Sequence, residues 1–379
     1  MGRPLSIAVF VSPHGFGHAA RACAVMQAIA ELEPGVRFEV FTRVPEWFFV
    51  DSLACPFRHH DVLTDIGLAQ TTALEEDPEA TLAQLAGFLP FRKEHLGRIA
   101  EQLADSGCTL VIADISPLGI AAASTARLPS VLIENFTWDW IYDAYTEAHP
   151  AFEAPIAALG TIFAGADLRI QTEPVCRAAP GASEVPPVSR TPRTPREEIR
   201  RRLRLAADTP VVLVTMGGVP WEHKTLNALE EFAGAAFVVP GTSDRVERRG
   251  SLIALPHRSG FFHPDLVYAA DAVVGKLGYS TLAETYAAGI PFAYVSRRTF
   301  RESATLASFV AERMVGIPID AEELDRGTWT QIVPRLISFR RSRGARENGS
   351  AAAARLALGL LHSQRTGSAR SVPGTRSGS

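Results

Sequence analysis

The sequence predicts an α/β protein of two doubly wound domains that face each other across a cleft. Short apolar runs alternate with helical segments through both halves of the chain, as in parallel sheets covered by helices. The 379 residues exceed what one hydrophobic core usually spans, so two domains are expected. Six prolines fall within 172–196, where apolar periodicity is lost, which predicts a linker.

Composition is that of a soluble globular protein. Hydrophobic residues make up 46% and charged residues 21% of the chain. The formal net charge of −3 argues against a nucleic-acid partner. The four cysteines show no Cys-x-x-Cys spacing, and no apolar run reaches the length of a membrane-spanning helix. The chain enters its first strand without a leader, so a cytoplasmic location is expected.

The first predicted domain covers 1–171. Its opening apolar run at 5–11 is typical of a strand buried on both faces of a parallel sheet. Helical structure is predicted over 19–32 and 78–105. Further strands are predicted at 38–41, 110–113, 130–133 and 168–170.

The second predicted domain covers 197–340 and repeats the alternation. A C-terminal helix is predicted at 341–363. The final stretch, 364–379, is rich in Ser, Gly, Arg and Thr and is expected to be a disordered tail. Strands of the second domain are predicted at 211–214, 237–239, 252–254, 271–274 and 292–295, with a helix at 302–313.

The stretch 275–291, GKLGYSTLAETYAAGIP, predicts a glycine turn that leads from a strand into a helix. Gly278 lets backbone N–H groups face an anion, and Ser280 and Thr281 add hydroxyls at the positive end of the helix dipole, so the turn suits a phosphate. Glu284 lies one turn further along, within reach of a sugar hydroxyl. The alternative is that Thr281 and Glu284 form a capping box that binds nothing.

A second glycine turn in the first domain holds two candidate general bases. His18 follows Gly15 and Gly17 and begins a helix, while Asp114 ends another strand of the same sheet. Because ligands of such sheets lie at the carboxyl ends of the strands, the imidazole and carboxylate are expected to work as a pair. His14 is the rival base. The alternative is that His18 is only a helix-terminal residue and Asp114 an N-cap.

Two motifs that would indicate other chemistry are absent from the sequence. Gly15 and Gly17 do not continue into a GxGxxG fingerprint, which counts against NAD binding. No Asp-x-Asp metal motif occurs, so neither a metal nor another cofactor is predicted.

These motifs resemble the signature regions of a known superfamily. HGFGHAAR at 14–21 and GKLGYSTLAETYAAGIPFAYV at 275–295 are similar to those of GT-B nucleotide-sugar glycosyltransferases. With NFTWDWIY at 135–142 and the segment 297–302, the chain looks more closely like the glycosyltransferase-like N-terminal half of plant-type L-arabinokinases. The resemblance covers most of the chain and implies two Rossmann-like domains. No kinase glycine-rich loop is present, so kinase activity is not implied.

The resemblance implies roles for particular positions. His18 would deprotonate an acceptor hydroxyl and Asp114 would pair with it. The positions that it assigns to the donor are Gly217, Gly218, Lys276, Gly278, Tyr279, Ser280, Thr281, Glu284, Arg298 and Glu302. The acceptor-side candidates are His14, Gly15, Gly17, Asn135, Trp138 and Trp140, although packing in the core is an equally good interpretation of the tryptophans.

The predicted function is an inverting, metal-independent glycosyltransferase. A UDP-sugar is the expected donor, and a small molecule or a lipid-linked molecule is the acceptor. A non-catalytic nucleotide-sugar-binding protein and a sugar-nucleotide epimerase of the same fold are the alternatives. The mixed apolar and basic segment FLPFRKEHLGR at 88–98 leaves a peripheral contact with the inner face of the membrane open.

Overall fold

The computed structural model describes residues 4–72, 74–216, 226–342 and 346–369. It confirms two α/β domains, each built on a largely parallel sheet with helices on both faces. The alternation of buried apolar runs with helical segments therefore predicted the fold class correctly.

The first sheet is entirely parallel among the described residues. Its strands are β1 (Ser6–Val11), β2 (Arg37–Thr42), β3 (Phe57–Asp61), β4 (Leu110–Asp114), β5 (Ser130–Glu134), β6 (Leu168–Thr172) and β7 (Ser183–Val185). They lie in the order β3-β2-β1-β4-β5-β6-β7. The order reverses between β1 and β4, so the turn after β1 and the end of β4 open into one crevice.

Helices cover both faces of this sheet. They are α1 (Phe16–Leu32), α2 (Glu46–Ser52), α3 (Pro78–Phe88), α4 (Lys93–Asp105), α5 (Pro117–Ala126), α6 (Trp138–Asp143) and α7 (Glu153–Ala164). The turn before α1 requires Gly15, whose φ of 76° lies in the left-handed region that favours glycine.

The second sheet has the same plan. Its strands are β8 (Val211–Thr215), β9 (Ala236–Pro240), β10 (Glu247–Arg249), β11 (Leu252–Leu255), β12 (Ala272–Lys276), β13 (Phe292–Val295) and β14 (Gly316–Pro318). They lie in the order β10-β11-β9-β8-β12-β13-β14, and only the pair of β10 with β11 is antiparallel among the described strands. The reversal between β8 and β12 places the second glycine turn at the crevice of this domain.

Helices of the second half follow the same alternation. They are α8 (Arg196–Arg202), α9 (Leu226–Glu230), α10 (His263–Ala269), α11 (Tyr279–Ala288), α12 (Glu302–Arg313), α13 (Ala321–Arg326), α14 (Val333–Ser338) and α15 (Ser350–Ala369). Short 3-10 turns at Pro150–Phe152 and Thr328–Ile332 complete the described elements.

Several elements differ from the prediction, including the C-terminal helix, which begins at Ser350 rather than at 341. Within the predicted linker 172–196, the strand β7 pairs with β6 and extends the first sheet by one short edge strand. The predicted helical stretch 78–105 is two helices, because the segment that contains Pro90 interrupts the hydrogen-bond ladder. Edge strands such as β3 were not predicted, since their exposed positions carry polar residues.

The C-terminal helix α15 packs against the first domain. Its residues Ala353, Ala357 and Leu361 are buried in the same core cluster as residues of α1. The helix extends to Ala369, so 364–369 are helical although the sequence predicted a tail there. Residues 370–379 lie outside the described part of the chain.

The proposed membrane contact gains no support from the structure. Phe88 and Phe91 are half-buried and pack edge-to-face on each other, with ring centroids 5.0 Å apart. No helix in the described part of the chain is both long enough and apolar enough to cross a membrane.

We expect Leu358→Ala to destabilise the protein because Leu358 of α15 is 5% exposed within the core of the first domain. The cavity left by this truncation should cost about 2 kcal/mol or more. The midpoint of urea unfolding measures this loss. Arg355→Ala, on the exposed side of the same helix, is the control and should change the free energy of unfolding by less than about 0.5 kcal/mol. Equal losses in the two variants would contradict the packing of α15.

Candidate active site

Two adjoining cavities lie between the domains at the carboxyl edges of both sheets. The larger cavity, of about 150 Å³, is lined by aromatic residues of the first domain and by His263 and Glu284 of the second. The smaller cavity, of about 80 Å³, is lined by the two glycine turns. Ser280 and Thr281 border both cavities, so one extended ligand could pass from one to the other along the start of α11.

His18 and Asp114 form the predicted pair. The Nδ1 atom of His18 lies 3.0 Å from Oδ1 of Asp114. An ionised carboxylate only accepts hydrogen bonds, so Nδ1 carries the proton and Nε2 is left as the basic nitrogen. His18 lines the smaller cavity, and its Nε2 makes no hydrogen bond within the described part of the chain. The imidazole is therefore oriented to accept a proton from a group in that cavity.

Arg21 completes this pair from one turn further along α1. Its Nε and Nη2 atoms donate to the two oxygens of Asp114, each at 2.8 Å, and both side chains are nearly fully buried. Burial alone would raise the pKa of Asp114, but the Arg21 guanidinium and His18 outweigh burial and lower it. Asp114 is thus held as a carboxylate at neutral pH.

The same arginine connects the two domains. Its Nη1 donates to Oδ1 of Asn135 at 2.7 Å, and Nδ2 of Asn135 donates to Oε1 of Glu302 at 2.7 Å. The guanidinium also lies over the ring of Tyr279, 4.8 Å from its centroid. A continuous buried network therefore runs from His18 and Asp114 in the first domain to the start of α12 in the second.

His14, the rival base, has a different environment. Burial lowers its pKa well below the usual value, and the charge of Arg297 lowers it further. Its ring packs edge-on against Trp138, with centroids 5.3 Å apart. His14 lines the smaller cavity as a neutral imidazole without a carboxylate partner, so His18 is the better-placed base.

The start of α11 is open to the smaller cavity. Its N-cap is Gly278, and no side chain caps the helix. The N–H groups of the first turn therefore remain available for an anion. The start of α1 lies opposite, since a Cβ atom built on Gly17 would come within 3.5 Å of the Ser280 hydroxyl. A side chain at Gly17 would thus narrow the passage between the two helix ends.

Lys276 adds a positive charge beside this helix end. It ends β12, lines the smaller cavity, and makes no hydrogen bond or ion pair with any described residue. Burial and the nearby charge of Arg297 lower its pKa to about 8. An unpaired ammonium that remains protonated at neutral pH is suited to contact a phosphate oxygen.

Glu284 is held by an arginine and a histidine rather than by a capping box. Oε1 accepts from Nε of Arg190 at 2.9 Å, and Oε2 lies 3.0 Å from Nδ1 of His263. Burial would raise the pKa of Glu284, but Arg190 and His263 lower it. The carboxylate borders the larger cavity, and Arg190, from the predicted linker, also donates to Ser52 of the first domain.

Most of the predicted site residues come together. Those that line the smaller cavity are His14, Gly15, Gly17, His18, Lys276, Gly278, Tyr279, Ser280, Thr281 and Glu302. Arg298 does not, because its side chain is exposed, and the preceding residue Arg297 faces the cavity instead. Gly217 and Gly218 lie outside the described residues.

Three acceptor-side predictions are wrong in their placement. Asn135 is fully buried and joins Arg21 to Glu302, so it is not a wall of either cavity. Trp138 is 1% exposed and packs beneath the rings of His14 and His18. Trp140 is also buried, with Arg301 stacked on its ring at 4.4 Å. The strand end before them turns these side chains into the core rather than towards a ligand.

The sequence analysis did not identify three arginines of the site, Arg21, Arg190 and Arg297. Arg21 lies three residues after His18, which is the spacing that puts two side chains on one helix face, so it could have been found. Arg190 and Arg297 follow no local pattern, because their partners lie far away in the sequence.

Comparisons with known proteins find chains similar to this one in sequence and in fold. No family model matches the chain. An L-arabinokinase from Arabidopsis thaliana is 29% identical over 344 residues, which are 89% of this chain. The chain spans about a third, 32%, of that relative's length.

Solved structures share the architecture over nearly the whole chain. UGT89C1 from Arabidopsis thaliana, complexed with UDP, has a TM-score of 0.61 at 14% identity and covers 94% of this chain and all of its own. A UDP-glucosyltransferase from Polygonum tinctorium has a TM-score of 0.60 at 11% identity, with 96% and 99% covered. The glycosyltransferase VinC, in complex with dTDP, has a TM-score of 0.58 at 16% identity, with 96% and 98% covered.

The chain has the GT-B glycosyltransferase fold. The two facing sheets and the crevice between their carboxyl edges are the defining parts of that architecture. The C-terminal helix α15 returns to the core of the first domain.

Replacing Asp114 with Asn should strongly destabilise the GT-B unit. Arg21 would stay 1% exposed without its ion-pair partner, so we expect a loss of about 3 kcal/mol or more at neutral pH, measured by urea unfolding. The lowered pKa of Asp114 means that its stabilisation is present above about pH 4 and is lost as the pH falls through the folded value.

The difference in the free energy of unfolding between wild type and Asp114→Asn should therefore become smaller below about pH 4. Asp143→Asn, which breaks an exposed pair with Arg301, is the control and should cost less than about 1 kcal/mol. Equal stability of wild type and Asp114→Asn at neutral pH would show that the buried pair is not needed.

Proposed function

We propose that this protein transfers a sugar from a nucleoside-diphosphate donor to an acceptor hydroxyl. The observation that carries the proposal is the position of a carboxylate-held imidazole, His18, on the same small cavity as an uncapped helix end and the free ammonium of Lys276. A base for the acceptor and a positive environment for the leaving group are the two requirements of glycosyl transfer.

The donor would extend through both cavities. Its diphosphate would lie at the start of α11 near Ser280 and Thr281, which border both of them. The nucleoside would then occupy the larger cavity, where aromatic rings of Trp47 and Phe48 and the carboxylate of Glu284 are available. UDP is the nucleotide that we favour, since one of the similar structures is a UDP-glucosyltransferase and another, UGT89C1, is complexed with UDP.

The reaction would invert the anomeric centre. The acceptor oxygen attacks the anomeric carbon while His18 removes the acceptor proton through Nε2. The bond from that carbon to the diphosphate oxygen breaks, and the leaving oxygen takes the bonding electrons. Asp114 stabilises the imidazolium that forms, and the α11 N-terminus with Lys276 stabilises the diphosphate.

We also propose that this reaction requires no metal ion. Lys276 and the N–H groups of α11 supply positive charge at the position where a metal would otherwise meet the diphosphate. Among the described residues, no group of three His, Cys, Asp or Glu side chains is arranged to hold a metal ion.

His18→Ala should abolish turnover but leave donor binding intact. A thermal-shift screen of nucleotides and nucleotide sugars first identifies the donor, since a ligand of the folded state raises the melting midpoint. Loss of the base should lower the rate of sugar transfer or donor hydrolysis by about 100-fold or more. The exposed His362→Ala is the control for histidine replacement.

Donor affinity in His18→Ala should stay within about twofold of wild type, measured by titration calorimetry. Assays with and without EDTA should give equal rates. Unchanged turnover in His18→Ala would refute its role as the base, and a rate that EDTA removes and a divalent cation restores would refute metal independence.

Nucleoside diphosphate binding should weaken with rising pH because of Lys276. Its pKa is lowered to about 8, so the ammonium is present below that pH and lost above it. We expect the affinity to fall between about pH 7.5 and about pH 9.5, by at most tenfold per unit, in titration calorimetry. The Lys276→Met variant should bind the nucleoside diphosphate weakly at all of these pH values. The Lys276→Arg variant should bind it with an affinity that does not change with pH over this range. A wild-type affinity that does not change over this range would contradict a phosphate contact.

A further inference from the structure

Arg297 is a buried arginine of the site whose guanidinium makes no hydrogen bond with any described residue. It is 7% exposed, and its Nε and Nη1 atoms are buried without a hydrogen-bond partner. The nearest acidic atom, Oε1 of Glu76, lies 3.4 Å from Nη1 and is itself without a hydrogen bond. Buried guanidinium groups are normally fully paired, so this arrangement points to a missing anion.

The fold holds this guanidinium rigidly at the smaller cavity. Its carbon centre lies 3.4 Å from the centroid of the Phe300 ring, on which the planar group stacks. Arg297 follows β13, and Lys276 ends the adjacent strand β12, with Lys276 opposite Val295 in the register. Two cations without hydrogen bonds therefore occur at the ends of neighbouring strands and line one small cavity.

The position of Arg297 relative to the diphosphate distinguishes its role from that of Lys276. The diphosphate would already contact the α11 N-terminus and Lys276. Arg297 follows β13, whereas α11 follows the neighbouring strand β12. Arg297 does not border the larger cavity. Its neighbours on the wall of the smaller cavity include Glu302, Phe300 and Gln70, which belong to the part that the sugar would fill.

We propose that the transferred sugar is acidic and that Arg297 binds its carboxylate. The donor would be a nucleoside diphosphate linked to a hexuronic acid. A planar guanidinium matches a carboxylate with paired N–H donors, which a lysine in the same place could not do. This inference rests on the proposed function, because it assumes that the diphosphate lies at the start of α11.

The test compares, within each of two nucleotide series, the free diphosphate, a neutral sugar donor and an acidic sugar donor. In the uridine series they are UDP, UDP-glucose and UDP-glucuronic acid; in the guanosine series they are GDP, GDP-mannose and GDP-mannuronic acid. Titration calorimetry measures the affinity of each ligand for wild type, Arg297→Gln and Arg297→Lys. The exposed neighbour Arg298→Gln is the matched control.

Wild type should prefer the acidic sugar over the neutral one by about tenfold or more. Arg297→Gln should remove this preference while it changes the affinity for the free diphosphate by less than about twofold. Arg297→Lys should retain part of the preference, and Arg298→Gln all of it. Retained binding of the free diphosphate shows that each variant is folded.

Two results would overturn the assignment. Equal wild-type affinity for acidic and neutral sugars would refute an acidic donor. A loss of affinity for the free diphosphate in Arg297→Gln would place Arg297 on the phosphate instead. If wild type bound no nucleotide of either series, the proposed function would fail, and the sugar assignment would fail with it.

Discussion

The bidentate ion pair between Arg21 and Asp114 determines the chemistry of this site. Both side chains are nearly fully buried, so each charge depends on the other for compensation. The pair keeps Asp114 ionised, and Asp114 in turn orients the imidazole of His18 towards the smaller cavity. Without Arg21, burial would favour a protonated carboxyl group that no longer fixes the tautomer of His18.

The same network couples the first domain to the second. Arg21 contacts Asn135, which contacts Glu302 of the second domain, so movement of one domain relative to the other must break the hydrogen bond between Asn135 and Glu302. Arg190 forms a second link, because it pairs with Glu284 of the second domain and donates to Ser52 of the first. The two links lie beside the two cavities, so the contacts between the domains and the walls of the site share residues.

The positive charges of these links are paired, whereas a positive charge at the smaller cavity is not. Arg21 and Arg190 are paired with buried carboxylates, whereas Lys276 makes no hydrogen bond or ion pair with the described residues. The paired arginines hold the architecture in place. In the proposed function, the unpaired ammonium would gain its partner only when the diphosphate binds.

Local sequence patterns were sufficient to predict the two α/β domains and a candidate site at two glycine turns. Buried parallel strands give continuous apolar runs, and a strand–glycine–helix transition is recognisable within about 20 residues. His18, Asp114 and the start of α11 were found for the same reason. Long-range packing instead sets the partners of Glu284, the inward turn of Trp138 and Trp140, and the position of Arg297 rather than Arg298 at the cavity. These depend on contacts between residues distant in the chain, such as Asn135 with Glu302, and on the direction that a loop gives each side chain.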